Sequence, residues 1–148
     1  MNLERYPYFK NSNFLNYEFY SEGPKGQIKK SVRFTAITIN DPIIYNLGFG
    51  DISEANEEID DSVISNNHDR DIVLATVANI IMDFTNNPGC HYIFATGNTP
   101  SRTRLYQMGI SSILEEIRKD FVVFGLKDDE WQEFQRNVNY TAFLINRN

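Results

Sequence analysis

The sequence predicts an α+β domain: a mixed, mostly antiparallel sheet in the order β-β-β-α-β-α-β-β, with two main helices packed on it. Three observations predict it. Before residue 50, apolar and polar residues alternate around strong turn signals, the period-two pattern of strands with one buried face. Two stretches, Asp69 to Phe84 and Thr99 to about Asp120, place apolar residues at helical intervals. Short apolar runs between and after them, at 90–97, 121–126 and 140–147, are too short for helices. At 148 residues the chain makes one domain, 1–148, with a long acidic loop at 51–68.

Each element has a local reason. "NYEFYSEGPKGQIKKSVRFTAITI" is a hairpin, with β-branched and aromatic residues on both sides of Gly23-Pro24-Lys25-Gly26. Val32, Phe34 and Ala36 alternate with Arg33, Thr35 and Ile37, and Asp41-Pro42 ends the run. "IIYNLGFG" sets Ile43, Tyr45, Leu47 and Phe49 on one side of a third strand. The polar stretch "DISEANEEIDDSVISNNHDR" has no clear period and reads as a loop, with room for one weak strand or turn around Val63. Val73, Val77, Ile80, Ile81 and Phe84 then form a helical stripe. Asn67 or Asp69 can cap that helix, and "TNNPG" stops it. "CHYIFATG" reads as a central strand covered on both faces. Tyr106, Ile110, Ile113, Leu114 and Ile117 make the stripe of the second helix, interrupted by Gly109, a residue that marks either a bend or close packing. "FVVFGL" is another core strand, "KDDEWQEFQRN" a polar connection anchored by Trp131 and Phe134, and "YTAFLINR" the last strand.

Composition excludes several classes. The net charge is −6, yet residues 51–100 hold nine acids against one base, Arg70, while residues 1–50 are slightly basic and 101–148 balanced. General nucleic-acid binding needs a basic face and is disfavoured. The apolar runs are too short to cross a bilayer, and "MNLERYPYFK" has no apolar core of a signal peptide. The single cysteine, Cys90, excludes an internal disulfide framework. The expectation is a cytoplasmic chain that makes no membrane contact.

The stretch that points to chemistry is "ATGNTPSRTRLYQMGI", a strand–turn–helix corner. A helix start presents unpaired N–H groups and partial positive charge, the elements of an anion site. Gly97 lets a ligand approach the backbone, Thr99 and Ser101 offer hydroxyls, and Pro100 suits the first helical position. Arg102 and Arg104 add two permanent charges that can grip phosphate or carboxylate with forked hydrogen bonds. Arg102 shares a face with Tyr106, four residues on. The same pattern also serves as an ordinary cap and first turn, with solvated arginines. A third arrangement pairs both arginines with the acidic loop, which then gates the corner.

Other candidates carry less. Asp51–Asp61 offers oxygen ligands but lacks the spacing of a calcium loop, so no metal is expected. His68 sits among helix-start acids, and His91 beside Cys90 points to the opposite side of a strand. Cys90 reads as a small buried hydrophobe. Two histidines without cysteine pairs give no zinc spacing, and no Gly-x-Ser-x-Gly, Walker or dinucleotide fingerprint is present.

Two resemblances follow from these residues. "NNHDRDIVLATVANII" with "TGNTPSRTRLYQM" resembles an uncharacterised family of small bacterial proteins, over nearly the whole chain; that resemblance implies no activity. The element order, and "GNTPSRTRLYQMGI", are also similar to the GNAT-type acetyltransferases. That resemblance implies acetyl-coenzyme A as cofactor, Asn98 as a cofactor-side residue and Tyr106 as general acid. One motif departs: where that family has a basic, glycine-rich pyrophosphate loop, Asp51–Asp71 has no glycine, eight acids and only Arg70.

The leading expectation is a non-catalytic binding or interaction protein without a cofactor. Its anionic, phosphate-type ligand meets Gly97, Asn98, Thr99, Ser101, Arg102, Arg104 and Tyr106. The alternatives are an acyltransferase on the same corner and a regulatory partner protein using segment 51–61. Edge strands leave a homodimer open.

Overall fold

The computed structural model describes residues 3–52, 59–60, 69–97 and 99–148. Strands β1 (Tyr8–Lys10), β2 (Asn16–Gly23), β3 (Gly26–Ala36) and β4 (Ile44–Ile52) form an antiparallel run. Then come β5 (Ile59–Asp60), α1 (Arg70–Thr85), β6 (Tyr92–Ala95), α2 (Pro100–Ser112), the single turn α3 (Leu114–Ile117), β7 (Phe121–Lys127), β8 (Glu130–Glu133) and β9 (Ala142–Arg147). They build one sheet in the order β1-β2-β3-β4-β6-β9-β7-β8, with β5 on the end of β4. The α+β class and the mostly antiparallel mixed sheet are as the sequence predicts, with β1, β5 and β8 in addition.

The first hairpin turns at Pro24-Lys25, with Gly23 opposite Gly26 and Gly26 at φ +81°, a conformation that glycine adopts without cost. Asp41-Pro42, a cis peptide, separates β3 from β4. One face of the sheet carries Tyr17, Phe19, Val32, Phe34, Leu47, Phe49, Ile93, Val123, Phe143 and Ile145, all buried. α1 covers it with Val73, Ile80, Ile81 and Phe84. Phe84 stacks on Phe34 at 3.9 Å between centroids and meets the edge of Tyr45. Aromatic pairs in these geometries add stabilisation beyond their buried area.

Four local expectations are corrected. β6 is buried on one face and half-buried on the other, so it is not covered on both. The second helix does not reach Asp120. The Ser112 hydroxyl takes the Gly109 carbonyl at 2.8 Å, and Ile113 leaves helical geometry at φ −119°. Side chains that bond back to the helix backbone in this way compete with its continuation. Residues 130–133 are a strand paired with β7, and of the two proposed anchors only Phe134 is buried, Trp131 being 44% exposed. Asp51 and Ile52 belong to β4 instead of the acidic loop. The weak element around Val63 falls outside the described residues.

The one parallel pair among the described strands positions the site. β4 meets β6 over three residues, Ile44–Asn46 against Tyr92–Phe94, and then continues to Ile52 away from it. α2 follows β6 at the carboxyl end of this pair, where ligands gather in sheets with parallel neighbours, and α1 follows β5, which pairs with the last residues of β4. The helices pack together where Gly109 leaves no room between its backbone and the Leu74 side chain. No helix among the described residues is long and apolar enough to cross a membrane.

Candidate functional site

The corner between β6 and α2 is closed twice by side chains. Thr99 is the N-cap, in extended conformation, and its Oγ1 accepts the Arg102 N–H at 3.2 Å; Pro100 follows as the first helical residue. Thr103 Oγ1 accepts the Gly97 N–H at 3.0 Å. Gly97 is required here by packing. A Cβ on it would lie 2.5 Å from Cβ of Arg102 and against the Thr103 backbone nitrogen, atoms of a helical turn that cannot yield cheaply.

A cleft of about 350 Å³ opens beside this turn, lined by Thr96, Gly97, Thr99, Pro100, Thr103, Arg104, Gln107 and residues 139–141. Its far wall is held by α2 itself. Gln107 donates from Nε2 to the Val138 carbonyl and accepts the Tyr140 N–H at 3.1 Å. Thr96 donates to the Thr141 carbonyl at 2.9 Å, tying the end of β6 to the start of β9. The Tyr140 hydroxyl faces away, accepting from Gln132 Nε2 and the Gln135 N–H. Gly125 lets β7 pass against the Tyr140 ring.

The residues expected at the site are divided between two flanks of α2. Gly97, Thr99 and Arg104 line the cleft, with Ser101 exposed beside it. Arg102 is 6% exposed and lies on the other flank; Tyr106 is half-buried against the core. Two residues on a helix are about 200° apart, so the arginines cannot grip one small anion together. Asn98 lies outside the described residues. Thr96, Thr103, Gln107, Asn139, Tyr140 and Thr141 are wall residues that the sequence did not single out. Thr103 had a signal, four residues after Thr99, whereas nothing in the spacing ties 139–141 to a turn some forty residues earlier.

Charge at this end of the sheet is uneven. The first turn of α2 carries no acidic residue, so its partial positive charge is unopposed from within. Neighbouring polar groups are paired elsewhere. Buried Lys30 binds Asp51 at 2.5 Å and lies over the Phe49 ring. Asp69, the N-cap position of α1, gives no side-chain cap; its Oδ2 accepts instead from Ser21 Oγ at 2.5 Å and Tyr6 OH at 2.6 Å. Burial, then the Asp69 bond, raises the Tyr6 hydroxyl above its ordinary range. His91 is exposed, Cys90 is buried beneath Tyr45, and His68 lies outside the described residues. Glu54, Glu57, Glu58 and Asp61, with any gate or partner surface they form, also lie outside them.

No curated protein and no solved structure shows a significant match to this chain. A family model matches from residue 2 to residue 148, under the description of a family of unknown function. A match over nearly the whole length, signature stretches included, places the chain in that family, DUF6934.

Proposed function

We propose that the protein binds a small anionic, phosphate-type molecule in the cleft at the head of α2. The supporting observation is the distribution of hydrogen bonds around that cleft. The Thr96, Thr99, Thr103 and Thr141 hydroxyls and both ends of Gln107 are bonded within the fold. Arg104 and Asn139 line the cleft, and neither side chain is hydrogen-bonded or ion-paired among the described residues. A rigid wall with a free guanidinium and a free amide is suited to recognition: the fork takes an oxyanion, the amide a neighbouring polar group. Ser101 adds a hydroxyl at the rim. No group in the cleft is set up as an activated nucleophile or a general base, and the reading needs no catalysis or cofactor.

A second reading, acyl transfer from acetyl-coenzyme A with Tyr106 as general acid, draws support from the strand order. An antiparallel run, one parallel step at β4–β6, and β9 inserted between β6 and β7 agree with the element order that suggested it. Thermal unfolding with sugar phosphates, nucleotides or acetyl-coenzyme A separates the readings. A ligand at a hundred times its Kd stabilises by about 2.7 kcal/mol, roughly 5–11 °C for a domain this size. A shift with phosphate compounds that shrinks in Arg104→Ala carries the first reading. A shift confined to acetyl-coenzyme A transfers support to the second, and none with any ligand ends both.

A further inference from the structure

Arg102 breaks three rules at once. Its side chain is more than nine-tenths buried, and Nε, Nη1 and Nη2 all lack a hydrogen-bond partner among the described residues. A buried guanidinium without a counter-charge is strongly unfavourable, because neither water nor protein replaces its hydration. It stands in the first turn of α2, where the helix dipole already concentrates positive charge and no acidic residue offsets it. Its stem is also fixed: Thr99 holds its backbone N–H, and the Gly97 backbone presses on its Cβ.

We propose that Arg102 is the anchor of a second site for one compact oxyanion, separate from the Arg104 cleft. An oxyanion reverses each violation. It supplies the missing counter-charge, accepts forked hydrogen bonds from the guanidinium, and complements the positive end of α2. The flank is defined by helical geometry. Gly109, seven residues after Arg102, lies nearly in line with it along α2, and Gly109 packs on Leu74 of α1. The site is thus on the α1 side of the helix, while Arg104 faces the segment 139–141. The chemistry is shared by free phosphate or sulfate, a phosphomonoester and a carboxylate.

The test compares wild type, Arg102→Met, Arg102→Lys and Arg104→Ala by thermal unfolding. Each is refolded from denaturant in sodium phosphate, sulfate, acetate, a sugar phosphate or chloride at matched ionic strength, so that the ion has access. The expected result is a saturable rise in Tm with an oxyanion over chloride. Part of it is kept in Arg104→Ala, which removes the cleft's contribution; in that background Arg102→Lys reduces it and Arg102→Met abolishes it. In chloride alone, Arg102→Met should melt at or above wild type, since it removes an uncompensated buried charge. A rise with acetate assigns a carboxylate, a rise with phosphate and sulfate a tetrahedral ion, and a rise with the sugar phosphate alone a larger ester. No rise over chloride in wild type overturns the site, as does a rise in Arg104→Ala that survives the addition of Arg102→Met. A rise lost in Arg104→Ala but kept in Arg102→Met belongs to the cleft and also overturns it. So does an Arg102→Met protein that melts below wild type or fails to fold, because the guanidinium then supports the empty fold.

Discussion

The two long helices bury opposite kinds of residue. α1 buries Val73, Ala75, Ala78, Ile80, Ile81 and Phe84, with Thr76 and Thr85 bonded to its own carbonyls. α2 buries Arg102, Thr103 and Gly109. The first set is what a helix needs to hold a sheet. The second contributes little apolar area, and its largest member is a cation whose guanidinium nitrogens have no hydrogen-bond partner among the described residues. A helix stabilised chiefly by its tertiary packing cannot rest on such a face alone. α2 is held by its neighbours: Gln107 on the 138–140 segment, Thr103 on Gly97, and Leu74 against Gly109. The contrast divides the molecule into a helix that supports the sheet and a helix that its neighbours hold in place.

The largest expected effect tests the supporting half. Phe84 is fully buried, stacked on Phe34 and edge-on to Tyr45. Phe84→Ala should cost about 3–5 kcal/mol in chemical denaturation through lost burial and the cavity left behind. A loss below about 1 kcal/mol would mean that α1 is not the main support of the sheet. If the variant stays folded, its anion response per molecule should match wild type, since Phe84 takes no part in either site.

How much of this was legible differs between the helices for a physical reason. The α1 stripe could be read directly, because apolar residues at helical spacing announce both the helix and the face it buries. The corner could be read too, because Thr99-Pro100 is a local cap. The separation of Arg102 from Arg104 onto two flanks follows from 100° per residue, but which flank is buried depends on where α1 sits, a long-range fact. The wall at 139–141 left no trace, since a polar connection looks alike whether it borders a cleft or water. β8 was hidden by the same ambiguity: "EWQE" has little apolar alternation and pairs because a tight turn at Asp128-Asp129, both at positive φ, returns it to β7.

An intermediate effect probes the seam between the helices. Glycine inside α2 costs about 1 kcal/mol relative to alanine by propensity alone. Gly109→Ala would therefore stabilise an isolated helix. Here the new methyl group meets both δ-carbons of Leu74, and overpacking of this kind costs about 1–3 kcal/mol. Gly109→Ala is expected to lower stability by roughly 1 kcal/mol net of propensity. Leu74→Ala in the same chain should relieve it, so a double-mutant cycle in urea should show a favourable coupling term. Additive losses would mean that the two residues do not touch, and the ordering of α2 against α1 would lose its anchor.

The smallest effect lies on the α1 side and depends on pH. Tyr8 donates to Asp83 of α1 at 3.0 Å, and Lys10 binds the other oxygen of that carboxylate at 3.1 Å, so β1 is fastened to the helix. Burial first, and the bond to Asp83 second, push the Tyr8 hydroxyl up to about 12 from the usual 10.0. A phenol whose pKa is higher in the folded chain than in the unfolded one binds its proton more tightly when folded. Its contribution to stability is complete below pH 10 and is lost as pH rises from there towards 12. Denaturation midpoints should therefore be level up to about pH 10 and fall beyond it, by more than exposed tyrosines alone would cause. In Tyr8→Phe the fall should be shallower, while the starting stability is lower by about 1 kcal/mol for the missing hydrogen bond. An identical alkaline slope in the two proteins would show that Asp83 does not hold the Tyr8 proton, and that β1 is fastened to α1 by Lys10 and packing alone.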